Sequence, residues 1–134
     1  MDIERGSFYL ADLNPKRGTE PGKTRPVLVV QTDLLTRAGH PSCVVLPLTT
    51  QTQDDAVPLR VRISAEHEGF NVESDLMTDQ IRAIDSTRLY RGTTGNLIKR
   101  IGPADPELMQ AVEQCLLQIL ELGGGRLPPV AAPD

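Results

Sequence analysis

Residues 22–30 read Gly-Lys-Thr-Arg-Pro-Val-Leu-Val-Val. Four consecutive apolar residues directly after a polar, turn-forming segment are typical of a strand that is buried on both faces. A second apolar run, residues 44–51, reads Val-Val-Leu-Pro-Leu-Thr-Thr-Gln and stops at hydroxyl side chains. Arg25 begins the first predicted strand and Thr49 ends the second. A sheet that pairs the two strands would therefore bring a guanidinium and a hydroxyl to one rim.

This combination of side chains suits a phosphate group. Arginine offers up to five donors in a fixed fork and stays protonated, and a threonine hydroxyl adds one more donor. The two strand ends therefore predict a surface that handles phosphate.

The remaining sequence predicts a mainly β domain with one terminal helix. Alternation predicts a half-buried strand over residues 6–13, with Phe8 and Leu10 on its apolar face. A long surface loop follows, and then come the strand at 27–30 and a short turn or helix capped by Asp33. Further strands are predicted at 42–49, 57–63 and 74–84, the last segment forming one or two, and short connecting elements at 86–92 and 95–102. Five or more short strands predict a small, curved antiparallel barrel whose edges close and whose loops gather at the rim.

The terminal helix has clear start and stop signals. Asp105 is the expected N-cap, and Pro106 occupies the first helical position. Apolar residues recur at spacings of three and four and predict one buried face, with three glycines at 123–125 as the stop: Leu108, Val112, Cys115, Leu116, Ile119 and Leu122. Residues 1–122 are the expected domain, and 123–134 the expected disordered Gly/Pro-rich tail.

Composition restricts the classes of function. The 134 residues carry a net charge of −4, of which residues 1–63 contribute +1, so a small cationic site on an acidic body is expected rather than duplex binding by charge alone. No apolar stretch approaches the ~20 residues of a membrane span, and no signal peptide is evident. Cys43 and Cys115 lack metal-ligand spacing and are interpreted as buried thiols. These features favour a cytoplasmic protein that has no membrane association and no metal site.

Six motifs in a fixed order resemble the MazF/PemK/Kid family, the toxins of bacterial toxin–antitoxin pairs. The resemblance covers about residues 5–122. Its motifs are Arg5-Gly6 with Tyr9 and Asp12-Leu13, Gly18-Thr19-Glu20, Arg25-Pro26-Val27, Pro47-Leu48-Thr49-Thr50-Gln51, Asp79-Gln80-Ile81-Arg82-Ala83-Ile84-Asp85, and Arg88-Leu89 with Gly95-Asn96-Leu97.

The resemblance implies an SH3-like barrel, a homodimer, and sequence-specific endoribonuclease activity on single-stranded RNA that inhibits growth. Family chemistry needs no cofactor or metal and leaves a 2′,3′-cyclic phosphate and a 5′-hydroxyl. The family's catalytic residues correspond to Arg25, Thr49 and Glu20. A histidine and an arginine described in some members are replaced here by Thr19 and Met77, which moves the catalytic role onto Arg25 and Thr49. A MazE-like antitoxin peptide is the implied partner, attracted by positive charge at Arg17, Lys23, Arg25, Arg60 and Arg62.

Several polar residues around these motifs are candidate RNA contacts: Thr19, Lys23, Thr50, Gln51, Asp79, Gln80 and Arg82. For Asp79, Gln80 and Arg82, reading RNA bases and holding the fold together are equally open interpretations. His40 and His67 stand on no motif and are expected to be exposed loop residues, so a paired-histidine mechanism is not expected.

Two alternatives come from other functional classes. A CcdB-like inhibitor of DNA gyrase has the same general fold but relies on a C-terminal Trp-Gly-Ile end, and this chain contains no tryptophan. A non-catalytic barrel would use the same phosphate-binding pair only to hold a ligand.

Overall fold

The computed structural model describes residues 2–15, 17–20, 22–92 and 95–123. Its strands are β1 (Ser7–Asp12), β2 (Thr24–Val29), β3 (Ser42–Thr49), β4 (Arg60–Ile63), β5 (Ser74–Met77), β6 (Arg82–Asp85) and β7 (Arg100–Pro103). Its helices are α1 (Asp33–Arg37) and α2 (Pro106–Ile119), with 3-10 turns at Thr78–Gln80 and Ser86–Leu89. The predicted tail lies beyond the described residues except for Gly123, so the boundary at residue 122 stays a prediction.

One curved antiparallel sheet contains all seven strands. They follow the order β4-β5-β3-β2-β1-β7, and β6 pairs with β3 on the edge opposite β2. The described parts of β4 and β7 do not pair with each other, so the sheet is a half-barrel and the predicted closure of the edges is wrong. The mainly β fold with a terminal helix is confirmed.

Each face of the sheet carries its own hydrophobic core, because successive side chains of a strand point to opposite sides. One core joins Phe8, Leu28 and Leu46 to the buried residues of α2. The other joins Tyr9, Val27 and Val45 to Ile3 and to Leu89 of the second 3-10 turn. The prediction that β2 is buried on both faces is confirmed.

The predicted half-buried character of β1 is wrong. Tyr9 and Ala11 are fully buried on the face expected to meet solvent, and Leu10 is only partly buried. The cause is tertiary, because the N-terminal segment and the second 3-10 turn cover this face.

Helix α2 begins where the sequence predicts and ends sooner than predicted. The Asp105 carboxylate accepts a hydrogen bond from the Leu108 N–H at 2.8 Å. Leu108, Val112 and Cys115 are buried, whereas Leu122 is exposed and lies past the end of the helix. The helix ends at Ile119, before the glycines that were expected to stop it. Neither described helix is long and apolar enough to cross a membrane.

Other differences between the predicted and the observed elements arise where the local sequence patterns are weak. The fourth strand begins at Arg60 rather than residue 57, since residues 57–59 form a turn. The side chain that caps α1 belongs to Thr32, not Asp33. Residues 100–103 form β7 by pairing with β1, a long-range contact that a four-residue segment does not reveal by itself.

Candidate active site

Strands β2 and β3 bring Arg25 and Thr49 to the same rim. Their ladder pairs Val27 with Pro47 and Leu28 with Leu46. Two residues further along this register, Arg25 is level with Thr49. The Arg25 side chain spans the gap, because its Nη1 donates to the Leu48 carbonyl at 3.0 Å.

The Arg25 guanidinium is held by backbone carbonyls. Its Nε donates to the Gly22 carbonyl at 3.0 Å, and no carboxylate of the described residues lies within ion-pair distance of it. Nη2 makes no hydrogen bond to any part of the chain that the structure describes. Burial lowers the pKa of Arg25 because it removes water from the charged form. This is a fixed, uncompensated cation with donors left for a ligand.

The Thr49 hydroxyl is oriented by the loop that follows it. Its Oγ1 accepts a hydrogen bond from the Gln51 N–H at 3.1 Å. Because that bond uses an oxygen lone pair, the hydroxyl proton is left available for donation to a ligand.

Two adjoining cavities share the Arg25 and Thr49 side chains. The larger has a volume of about 610 Å³ and the smaller about 340 Å³. The larger is lined by Asn14, Gly22, Lys23, Thr24, Arg25, Pro26, Leu48, Thr49, Thr50, Gln51 and Ser74. The smaller is lined by Thr19, Gly22, Arg25, Thr49, Gln51, Thr52, Gln53, Arg60 and Met77. We call the two together the cleft.

The sequence matches the family of PemK-like, MazF-like toxins of type II toxin–antitoxin systems over residues 4–120. The chain belongs to this family. Endoribonuclease EndoA of Bacillus subtilis is 38% identical to the chain over 116 residues, which cover 87% of this chain and 92% of that protein. These matches confirm the family and the endoribonuclease class predicted from the sequence.

Solved structures of similar proteins agree with the fold of this MazF-like toxin. MazF of Deinococcus radiodurans superposes with a TM-score of 0.70 at 21% identity, covering 90% of this chain and 97% of the other. An endoribonuclease in complex with its cognate antitoxin, from a mycobacterial species, gives a TM-score of 0.65 at 20% identity, with coverage of 91% and 97%.

The structure of this MazF-like toxin brings together most of the predicted site. Arg25, Thr49, Lys23, Thr50, Gln51 and Thr19 all line the cleft. Glu20 is partly buried between two lining residues, Thr19 and Gly22, but is not itself among the lining residues. The structure therefore brings Arg25 and Thr49 together, and it leaves Glu20 outside the lining of the cleft.

Three candidate RNA contacts lie elsewhere. Asp79 and Gln80 belong to the first 3-10 turn, which packs against α2, and Arg82 begins β6 opposite Val45. None of the three lines the cleft. A direct contact with RNA held at Arg25 is not supported for them, and a contact with a longer strand stays a prediction.

The loop between β1 and β2 is anchored at its base. The Asn14 side chain accepts a hydrogen bond from the Lys23 N–H at 2.6 Å, and the Lys23 carbonyl accepts one from the Leu13 N–H at 3.0 Å. Arg88 donates to the carbonyls of Asp12 and Asn14 at 3.0 and 2.5 Å. Arg88, a residue of the family motifs, therefore holds the wall of the cleft.

The expectation that Arg60 and Arg62 offer free positive charge is wrong, because carboxylates pair with both. Arg62 contacts three carboxylates, those of Asp54, Glu73 and Asp75, at 2.6–3.1 Å. They raise the pKa of Arg62 through hydrogen bonds and charge. Arg60 pairs with Asp75 at 3.2 Å. Asp75 was missed because a single acid in an apolar strand gives no signal until its partners are known.

The histidines and cysteines lie away from the cleft. His67 is not exposed as expected, since its side chain is 10% accessible and packs edge-on against Phe8 and Phe70. Cys43 and Cys115 are buried free thiols, as predicted. In the described ranges, no three His, Cys, Asp or Glu side chains are grouped closely enough to hold a metal ion.

Proposed function

We propose that this MazF-like toxin cleaves single-stranded RNA at a short sequence, without a metal ion, by attack of the 2′-hydroxyl on the adjacent phosphorus. The observation that carries the proposal is the uncompensated guanidinium of Arg25 beside the Thr49 hydroxyl. A phosphodiester is the group in RNA that supplies the missing negative charge.

The reaction cleaves the RNA strand at one P–O bond. The 2′-oxygen forms a bond to phosphorus, and the bond from phosphorus to the 5′-oxygen breaks. The products are a 2′,3′-cyclic phosphate and a 5′-hydroxyl. The proton of the 2′-hydroxyl passes to a base, and the departing 5′-oxygen takes up one proton.

Arg25 and Thr49 act on the charge that develops on the non-bridging oxygens. The free Nη2 donors of Arg25 and the hydroxyl proton of Thr49 bind these oxygens most strongly when their charge is greatest, in the transition state. The backbone carbonyls of Gly22 and Leu48 hold the guanidinium in place beforehand, so little reorganisation is needed during the reaction.

Glu20 is the proposed acceptor of the 2′-hydroxyl proton. Arginine is a poor base even with a lowered pKa, because its ordinary value lies above ~12. The loop that carries Glu20 also supplies Thr19 and Gly22 to the cleft. Glu20→Gln, which keeps shape but loses basicity, tests this role separately from that of Arg25.

The proposed setting is the cytoplasm, where RNA is available, and the proposed state is a homodimer. The proposed regulator is an acidic, MazE-like antitoxin peptide that covers the cleft. Toxin complexes with an antitoxin are known among the similar structures. Since Arg60 and Arg62 are neutralised, the peptide's carboxylates are expected to contact Arg25 and Lys23 instead.

The test is cleavage of a long single-stranded RNA in EDTA, with the ends of the products mapped. Wild-type protein should give discrete cuts with 5′-hydroxyl ends, and Arg25→Ala should reduce the rate by ~10²–10³. Arg37→Ala is the matched control, because Arg37 is an exposed arginine of α1 whose partner is Asp33, away from the cleft.

Three outcomes would overturn the proposal. Cleavage by Arg25→Ala within tenfold of the wild-type rate would remove Arg25 from the chemistry. Binding of RNA by wild-type protein with no cuts would instead indicate a non-catalytic module, and inhibition of gyrase would indicate a CcdB-like poison.

A further inference from the structure

Asp75 is a buried carboxylate that forms the centre of an ion-pair network. Its side chain is 1% accessible. Oδ1 accepts from Arg62 Nε at 2.6 Å, and Oδ2 accepts from Arg60 Nη1 at 3.2 Å and from the Gln53 N–H at 2.8 Å. The charge is therefore paired and its oxygens are hydrogen-bonded, as burial requires.

The network holds the loop that follows β3. Besides the bond from the Gln53 N–H to Asp75, Arg60 donates to the Gln51 carbonyl at 3.3 Å, and Arg62 donates to the Asp54 carboxylate at 2.9 Å. Three of the four loop residues 51–54 are thus connected to Asp75 directly or through one arginine: Gln51, Gln53 and Asp54. Gln51 and Gln53 line the cleft.

A second connection runs through the sheet. Asp75 is the cross-strand partner of Thr49 in the pairing of β5 with β3, so the two side chains project on the same face. The Gln51 N–H, which lies in the anchored loop, donates to Thr49 Oγ1. Asp75 therefore sets the position of both the strand end and the loop amide that orient the Thr49 hydroxyl.

We propose that Asp75 is a positioning residue for the Arg25–Thr49 site, acting through Arg60 and the loop at residues 51–54. It does not touch the substrate. The inference rests on the proposed function for its catalytic consequence, while its structural part, the anchoring of the loop, is measurable without any RNA.

Stability alone does not account for this network. A buried ion pair is no more stabilising than a well-packed apolar group in the same place, because desolvation offsets the attraction of the charges. What an apolar residue at position 75 would lack is a connection to the loop. Small displacements of a catalytic group cost large factors in rate, so a loop fixed in this way matters for Thr49.

The main variant is Asp75→Asn, which keeps the shape and removes the charge. Amide hydrogen exchange at Gln51 and Gln53, measured by NMR on the free protein, should accelerate. In RNA cleavage kcat should fall about tenfold with KM changed less than about threefold, because Thr49 acts in the transition state rather than in ground-state binding.

Glu73→Gln is the matched control. It removes the same charge, two residues away, from the same Arg62, but Glu73 is half exposed and has no bond to the loop. Loop exchange and kcat should both stay within about twofold of wild type, because exposed ion pairs contribute little. A purely electrostatic effect of losing one acid would appear equally in both variants and would overturn the proposal.

Arg60→Met is tested in parallel in case Asp75→Asn does not fold. It leaves Asp75 paired with Arg62 and the Gln53 N–H, and it removes the Arg60 donor that Asp75 and the Gln51 carbonyl share. Faster exchange at Gln51 and a fall in kcat of about threefold are expected. Unchanged exchange in every variant that folds, or a loosened loop with unchanged kcat, overturns the proposal.

The two proposals fail in different ways. If wild-type protein does not cleave RNA, the proposed function fails, and amide exchange still decides whether Asp75 anchors the loop. If wild-type protein cleaves RNA and Asp75→Asn behaves like Glu73→Gln, only the positioning role fails.

Discussion

Arg25 and Arg62 are arginines in strands of one sheet, and they have opposite electrostatic settings. Arg25 is held by two backbone carbonyls and has no described carboxylate near it. Arg62 is surrounded by three carboxylates. Burial lowers the pKa of Arg25, and the acids raise the pKa of Arg62.

The difference shows that an arginine's role is decided by its acceptors. Carbonyl oxygens orient a guanidinium but carry no net charge, so Arg25 keeps its attraction for an anion. Carboxylates neutralise Arg62, so its donors serve the fold. The same residue type is therefore a ligand-binding group in one strand and a structural group in another.

The largest effect should come from changing the shape of the Arg25 cation without removing its charge. Arg25→Lys should lower kcat/KM for RNA cleavage about 10²-fold, because a lysine cannot hold two carbonyls and a phosphate with one planar fork. Arg62→Lys, made for comparison, keeps a cation beside the buried Asp75 and should lose less than about tenfold. Equal losses in the two variants would erase the distinction between the two arginines.

A smaller effect is expected at the hydroxyl beside Arg25. Thr49→Val removes the donor while keeping the branched shape and should lower kcat about 10- to 10²-fold. Thr87→Val is the control, since Thr87 also makes a local side-chain hydrogen bond, to Asp85, but lies away from the cleft. Full activity of Thr49→Val in single-turnover kinetics would leave Arg25 as the only catalytic donor of the pair.

In thermal unfolding, substituting Arg62 should have a larger effect than substituting Arg25, which is the reverse of their order in catalysis. Arg62→Met should lower the Tm by several degrees, because it leaves Asp75 with one cationic partner fewer in a buried position. Arg25→Met should leave the Tm unchanged or raise it, because an unpaired, partly buried cation does not stabilise the fold. A larger loss of Tm in Arg25→Met, measured by circular dichroism or calorimetry, would contradict this assignment.

The smallest effect concerns Cys43, which is buried without a counter-charge as Arg25 is. Burial raises the pKa of the Cys43 thiol from 9.0 to about 11. Between these values the unfolded chain releases its proton first, so the free energy of unfolding should fall as the pH rises. Cys43→Ala should make that fall shallower in denaturant titrations from pH 9 to 11. Between pH 6 and 8 the pH dependence of the two proteins should agree, because the thiol is protonated in both states.

Most strands were predictable because their signals are local. Runs of β-branched and apolar residues ended by turn residues indicate β2 and β3, and the capped, periodic segment after Asp105 indicates α2. The missed β7 and the misjudged face of β1 have one cause. Both depend on contacts between distant segments, which a pattern in neighbouring residues does not contain.

The candidate site divides in the same way, into residues that local sequence signals predict and residues whose placement depends on contacts between distant segments. Arg25 and Thr49 were predictable because each marks the end of an apolar run, and ends of paired strands meet at a rim. Asp79, Gln80 and Arg82 belong to one family motif, yet none of them lines the cleft, because a 3-10 turn places Asp79 and Gln80 near α2 and Arg82 lies in β6. The Glu20 role stays a prediction, since Glu20 is not among the residues that line the cleft.

The sequence by itself determined the family, the mainly β class, the terminal helix and the pairing of a cation with a hydroxyl. These depend on residue type and spacing, which are properties of short segments. Only the tertiary structure decided which arginines keep a charge that no carboxylate compensates. That depends on which oxygen atoms surround each guanidinium, and the folded sheet placed carbonyls around Arg25 and the buried carboxylate of Asp75 beside Arg60 and Arg62.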